Sequence, residues 1–353
     1  MISSTLGPFY PRLRWFHLIV CLWVITGCTL FEPKPERTEE PTPVSAVLKP
    51  DSPLHPLKHY KMVTVQPGDT LSSLAARHLG DSASAWKIAE INVVEVVKPG
   101  DLLIIPLSPL EKGGLSLRGH QTVPILTYHK FSDRVSDAVT VTRKAFEDQM
   151  RLLKNRGYQV ISLDQFFDFL ELRDSIPRKA VVITFDDGWR STYDIAFPIL
   201  KKYGYPATLF VYTDFINESG SGMTWAMLKE MMSGGVSIQS HTKSHRYLDR
   251  RQGKESFRKY FDAIKEEMEE SARIIRRRLN VEVKYLAYPY GDTNHLVAAL
   301  AERLGYRGAL TVEREGNSCS VHRYRVKRSM IYGHFDLEDF EKNLKVFNEQ
   351  AIK

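Results

Sequence analysis

Two neighbouring carboxylates, Asp186 and Asp187, end an apolar run from Ala180 to Phe185 and are followed by Gly188. Like charges placed side by side are costly unless a cation or a shared proton balances them. A second run, Val236 to Ser240, leads into His241-Thr242-Lys243-Ser244-His245. On a helical turn, residues four apart share a face, so both imidazoles can converge on one ion. Thr242 follows the first histidine where a HExxH metalloprotease would carry Glu, which sets the peptidase reading aside. A third run ends in Ala287-Tyr288-Pro289-Tyr290-Gly291. His129, after Val123 to Tyr128, and His334, after Arg325 to Tyr332, add imidazoles at two further run ends. The chain has only three cysteines, Cys21, Cys28 and Cys319, so any metal must be held by His, Asp or Glu.

Such motifs act together only if a scaffold brings separate strand ends to one place. Strands are predicted at 123–128, 158–161, 180–185, 207–212, 236–240, 283–288 and 307–311. Amphipathic helices are predicted at 144–155, 163–172, 191–203, 224–233, 255–279 and 294–304. This alternation implies an α/β fold, a parallel sheet or barrel covered by helices, with functional residues at the carboxyl ends of strands.

Thr184-Phe185-Asp186-Asp187-Gly188, the His241/His245 pair and Ala287 to Gly291 together resemble the polysaccharide deacetylase family, carbohydrate esterase family 4, over residues 123–345. The resemblance implies an irregular (β/α) barrel of seven or so strands that removes N-acetyl groups from an N-acetylglucosamine-containing polysaccharide. It implies Asp186 as general base and Asp187, His241 and His245 as ligands of a divalent metal. Zn2+ is expected first, with Co2+, Ni2+ or Mn2+ as alternatives. The backbone N–H of Tyr290 would face the oxyanion, and His129, before His334, would protonate the leaving amine. Many family members carry an Arg two residues before the proline of the third motif, where this chain has Ala287; Arg328 is the candidate replacement. Trp225 and Tyr288 are candidate faces for a sugar ring.

Ahead of this lies a shorter strand–helix–helix–strand pattern over 60–107. Val63 to Leu71, Asn92 and Lys98 to Pro106 resemble the LysM glycan-binding module, a small βααβ domain. The resemblance places its groove near Gly68, Asp69, Thr70 and 91–97, with Asn92 among the candidate glycan-binding residues. A Gly-containing linker, 108–122, joins the two domains, and a Pro-rich tether spans 29–59. Residues 1–28 read as an export segment: Arg12 and Arg14 precede an apolar run ending Ile25-Thr26-Gly27-Cys28, which resembles a bacterial lipobox. Cys28 would then carry a lipid anchor to a membrane, the outer membrane in a Gram-negative cell.

The formal charge of +7 over 353 residues invites an anionic partner. Nucleic acid is not expected, because Arg276-Arg277-Arg278 share a helix with Glu266, Glu267, Glu269 and Glu270, which reads as a solvated mixed-charge face. Two other readings stay open: a non-catalytic wall-binding lipoprotein built on a degenerate barrel, and an esterase that removes O-acetyl groups from a glycan. Oligomeric state is not legible.

Overall fold

The computed structural model describes residues 60–107, 112–116, 119–134, 137–217 and 220–349. The predicted export segment, Cys28 and the Pro-rich tether lie outside them.

In the first domain β1 (Tyr60–Thr64) pairs antiparallel with β2 (Leu102–Pro106), and α1 (Leu71–Leu79) and α2 (Ala85–Asn92) connect them. Gly68 takes the left-handed φ of 89° that the Pro67-Gly68-Asp69 turn needs. Thr70 caps α1, exchanging hydrogen bonds with Ser73. A small core of Val65, Leu74, Ala75, Ile88, Leu103 and Ile105 holds the domain together.

The second domain is a ring of parallel strands: β3 (Ile125–Tyr128), β4 (Ala180–Phe185), β5 (Ala207–Val211), β6 (Val236–Ser240), β7 (Tyr285–Ala287) and β8 (Gly308–Leu310), paired in that order. The seventh, β9 (Ser329–Met330), pairs with β3, and just before it Val326 bridges to Leu310 of β8. Val326 accepts from Thr311 N–H at 2.8 Å and donates to the Ala309 carbonyl oxygen at 3.0 Å, so this last segment closes the barrel. Helices α3 (Arg143–Asn155), α4 (Leu163–Leu170), α5 (Phe197–Tyr203), α6 (Trp225–Ser233), α7 (Phe257–Leu279) and α8 (His295–Arg303) fill the crossovers.

Successive strand residues face opposite sides. Leu126, Tyr128, Val181, Ile183 and Phe185 pack in one core with most of the helices, whereas Ile125, Val182, Phe210, Leu310 and Val326 form a second, inner core together with Leu163, Phe166, Phe167 and Phe169 of α4. Thr127, Thr184, Asp186 and Arg328 share the inner alternation, so polar groups follow the apolar layer towards the carboxyl end.

Candidate active site

Asp186 is buried, 1% exposed, at the end of β4. Arg328 reaches it from the closing segment as a fork: Nη1 donates to Oδ1 at 2.7 Å and Nη2 to Oδ2 at 2.8 Å. The guanidinium is itself fully buried, and its Nε donates to the Thr311 carbonyl oxygen at 2.9 Å. Burial alone would raise the Asp186 pKa. The Arg328 charge, with His241 and the two Arg328 hydrogen bonds, overrides it and holds the carboxyl well below the usual carboxylate range.

Asp187 follows in a left-handed conformation, φ 75°, which turns it away from its neighbour. Its Oδ1 lies 3.6 Å from His241 Nε2 and 3.5 Å from His245 Nε2, and the two Nε2 atoms are 3.1 Å apart. Ligands about 2.0–2.1 Å from a tetrahedral ion stand roughly 3.4 Å from one another, so these three atoms fit one divalent metal. Supporting contacts agree with that use. His241 Nδ1 hydrogen-bonds the Ala287 carbonyl oxygen at 2.8 Å, leaving Nε2 to face the cluster, and Trp189 Nε1 donates to Asp187 Oδ2 at 2.8 Å. Burial, then the neighbouring His241, pushes His245 down to about 4, which keeps its imidazole neutral, as ligation requires.

The His241–His245 loop is not the helical turn expected from its spacing. Thr242 and His245 have φ of 71° and 64°, so left-handed residues around a single bend, and not a helix, bring the rings together. Glu267 of α7 holds this shape. Its carboxylate accepts from Lys243 N–H at 2.9 Å, Ser244 N–H at 2.8 Å and Ser244 Oγ at 2.5 Å, and it is 8% exposed. The solvated mixed-charge face expected for α7 is thereby corrected at Glu267, because its partners come from a loop distant in sequence. Asp187, Thr242, His245 and Tyr290 (φ 61°) are four of the eight non-glycine residues with positive φ among the described residues. Strained backbone gathered at one site marks a functional constraint.

His129 Nε2 lies 4.0 Å from Asp186 Oδ2, and its Nδ1 is buried without a hydrogen-bond partner. His334 is exposed, stacking on Tyr332 at 5.6 Å with its edge to Phe335. Tyr290 stacks on Tyr247 at 3.9 Å and meets the His245 ring at 4.6 Å. Tyr288 offers no face to a sugar: it is fully buried and donates to the Tyr324 carbonyl oxygen at 3.0 Å. Trp225 packs on the core with Arg278 over its ring at 5.9 Å. The indole that reaches the cluster is Trp189, which sequence reasoning missed. Its place two residues after Asp187 was the available signal.

In the first domain Asp69 accepts from Gln66 N–H at 2.9 Å and from Arg77 at 2.6 Å. Asn92 spends its amide on Ile88 and Ile104, tying α2 to β2. The free thiol of Cys319 is half-buried, beside the inner core.

The polysaccharide deacetylase profile matches residues 173–309 and the LysM domain profile residues 63–106. YxkH of Bacillus subtilis (strain 168), which bears the polysaccharide deacetylase name, is 32% identical over 213 residues, 59% of this chain and 72% of its own. A poly-β-1,6-N-acetyl-D-glucosamine N-deacetylase of Staphylococcus aureus (strain MRSA252) is 25% identical over 197 residues, 54% of this chain and 68% of its own. Among solved structures, the Streptococcus pyogenes deacetylase PplD in complex with acetate superposes with a TM-score of 0.58 at 27% identity, covering 64% of this chain and 99% of that one. The chain belongs to the polysaccharide deacetylase family. It is a hydrolase joined to a LysM domain, and the two domains together imply a glycan partner. His129 and Arg328 fall outside the matched 173–309 segment.

Proposed function

We propose that this chain is a metal-dependent N-deacetylase of an N-acetylglucosamine-containing polysaccharide, peptidoglycan or poly-N-acetylglucosamine, at the cell envelope. The observation that carries it is the Asp187–His241–His245 cluster with the Arg328-clamped Asp186 beside it. A divalent ion held there, Zn2+ first by its donor set, supplies Lewis acidity that activates water and polarises an acetamide carbonyl. Asp186, kept ionised by Arg328, is the general base that takes the proton from the attacking water. His129, close to Asp186, is the general acid that protonates the departing amine. The Tyr290 backbone N–H faces the developing oxyanion. Arg328 does from the closing segment what an arginine at position 287 does in other family members.

In the same reading the domains run 1–28 (export segment), 29–59 (tether), 60–107 (LysM), 108–122 (linker) and 123–345 (deacetylase), with Cys28 acylated. No helix among the described residues is long and apolar enough to cross a membrane. The test is acetate release from peptidoglycan, poly-β-1,6-N-acetylglucosamine and chitin oligomers, with and without chelator, beside Asp186→Asn. Chelator-sensitive release that Asp186→Asn abolishes is expected. Absence of release from all three, with retained wall binding, would make the barrel a scaffold.

A further inference from the structure

A groove of about 1280 Å3 runs between the LysM domain and the barrel. Its LysM wall includes Asp69, Thr70 and Trp86 together with Val93 and Val96, which are 90% and 76% exposed. These two valines give the groove an apolar edge on that side. The barrel wall includes Lys154, Arg156, Arg178 and Lys179, all exposed, and no acid among its described lining residues. Two ties brace the walls: Lys87 Nζ binds both Asp174 oxygens at 2.9 Å, and Arg178 N–H donates to Glu90 Oε1 at 2.9 Å.

Charge is unevenly met across the groove: its acids, Asp69, Glu90 and Glu95, all lie on the LysM wall and its basic residues on the barrel wall. Asp69 is taken by Arg77, Arg156 lies 3.1 Å from Glu341, and Arg178 is drawn to Glu90. The partners of Lys179 are neutral: the Arg156 carbonyl oxygen at 3.0 Å and the Tyr158 ring face at 5.7 Å. The barrel wall thus presents lysine charge to whatever the LysM wall holds. Lys179 also immediately precedes β4, whose far end carries Asp186. Six residues of strand put the groove about 20 Å from the catalytic centre.

We propose that the LysM domain and the amino-terminal end of the barrel form one composite groove for an N-acetylglucosamine-containing glycan bearing free carboxylates. The strand gripped there is not the stretch being deacetylated. The proposal rests on the glycan-binding reading of the LysM domain and is independent of the deacetylase chemistry.

The test is retention of the full chain on insoluble peptidoglycan sacculi, native or with their carboxylates amidated by carbodiimide, read as bound fraction against sacculus concentration. Lys154→Glu/Lys179→Glu is expected to weaken retention on native sacculi about tenfold. Amidation should lower the parent to the level of that variant, and Lys265→Glu, exposed on α7, should match the parent. Val96→Asp should weaken retention on both sacculi. Equal retention of parent and double-lysine variant, or indifference to amidation, would leave the LysM module as the sole site and overturn the proposal. So would unchanged retention of Val96→Asp, which removes the LysM wall from the groove. Retention is read without turnover, so a failed deacetylase reading appears separately, as missing acetate release.

Discussion

Replacing Arg328 by Met removes the guanidinium while keeping a long apolar stem in a fully buried position. Asp186 would remain 1% exposed with its principal counter-charge gone. Breaking a buried ion pair from one side costs about 3–5 kcal/mol. At about 2–4 °C per kcal/mol for a domain of this size, melting should fall by about 6–20 °C. The linkage sign is set by the depressed folded pKa of Asp186: its stabilisation is complete above the unfolded value near 4 and is lost as pH falls towards the folded one. With Arg328 gone, burial dominates and raises that pKa above the unfolded value, so the sign inverts: Asp186 then costs the variant stability as pH rises through the raised value, and the deficit against the parent is largest near neutrality and shrinks in acid. Catalysis should register the same change. A protonated base forfeits a contribution of about 10²–10⁴, and the acid limb of the kcat/KM profile should move to higher pH. The assay is acetate release from an N-acetylglucosamine oligomer across pH 4–9, paired with thermal melting. An acid limb that stays in place, with kcat/KM within about threefold of the parent, would refute the clamp.

Three further outcomes are expected. Chelator dialysis should abolish acetate release, and Asp187→Ala or His241→Ala should leave a folded chain that retains no stoichiometric zinc by elemental analysis. His129→Ala should lower kcat by about 10²–10³, whereas His334→Ala, altering an exposed ring, should stay within about threefold; the reverse order would move the acid role. Glu267→Ala should weaken metal affinity about 10–100-fold by competition with a chromogenic chelator, with Glu267→Gln partly restoring it because the Lys243 and Ser244 N–H groups regain an acceptor.

Much of the site was legible because alternation along a strand carries through its last residue. Ile125, Thr127 and His129 share one parity, as do Val182, Thr184 and Asp186, and Val326 and Arg328. The motifs stood at predicted strand ends, and this alternation explains why those ends turn their polar residues into the mouth of the barrel. What escaped was conformation and distance. A His-x-x-x-His spacing is compatible with a helical turn, and nothing local announces that Thr242 and His245 adopt left-handed backbone. The partners that hold that loop sit on α7, and a glutamate among charged neighbours on a long helix reads as solvated until the loop folds over it. Trp225 and Tyr288 were plausible sugar faces by type, and only packing showed one lying under Arg278 and the other inside the core.

Arg328 also couples closure of the barrel to the chemistry. It accompanies Val326 on the segment that bridges β8 to β3, and its guanidinium touches four groups at three strand ends: Thr311 O after β8, Thr127 Oγ1 on β3 at 3.1 Å, Thr184 Oγ1 on β4 at 3.3 Å, and Asp186 just beyond β4. Asp186 and Arg328 are 142 residues apart in sequence. The base is therefore paired only once the last strand is in place. Before that, burial of Asp186 lacks its principal counter-charge, so an open barrel that hides this carboxylate is disfavoured relative to both the unfolded chain and the closed one. A chain ending before residue 323 would retain Asp187, His241 and His245 and yet lack both the closing hydrogen bonds and the clamp. It should bind metal weakly and release no acetate, and adding a peptide spanning 323–349 should restore closure and activity together. Recovery of metal binding without activity would mean that the segment serves the fold alone, and the link drawn here between closure and the ionised base would fail.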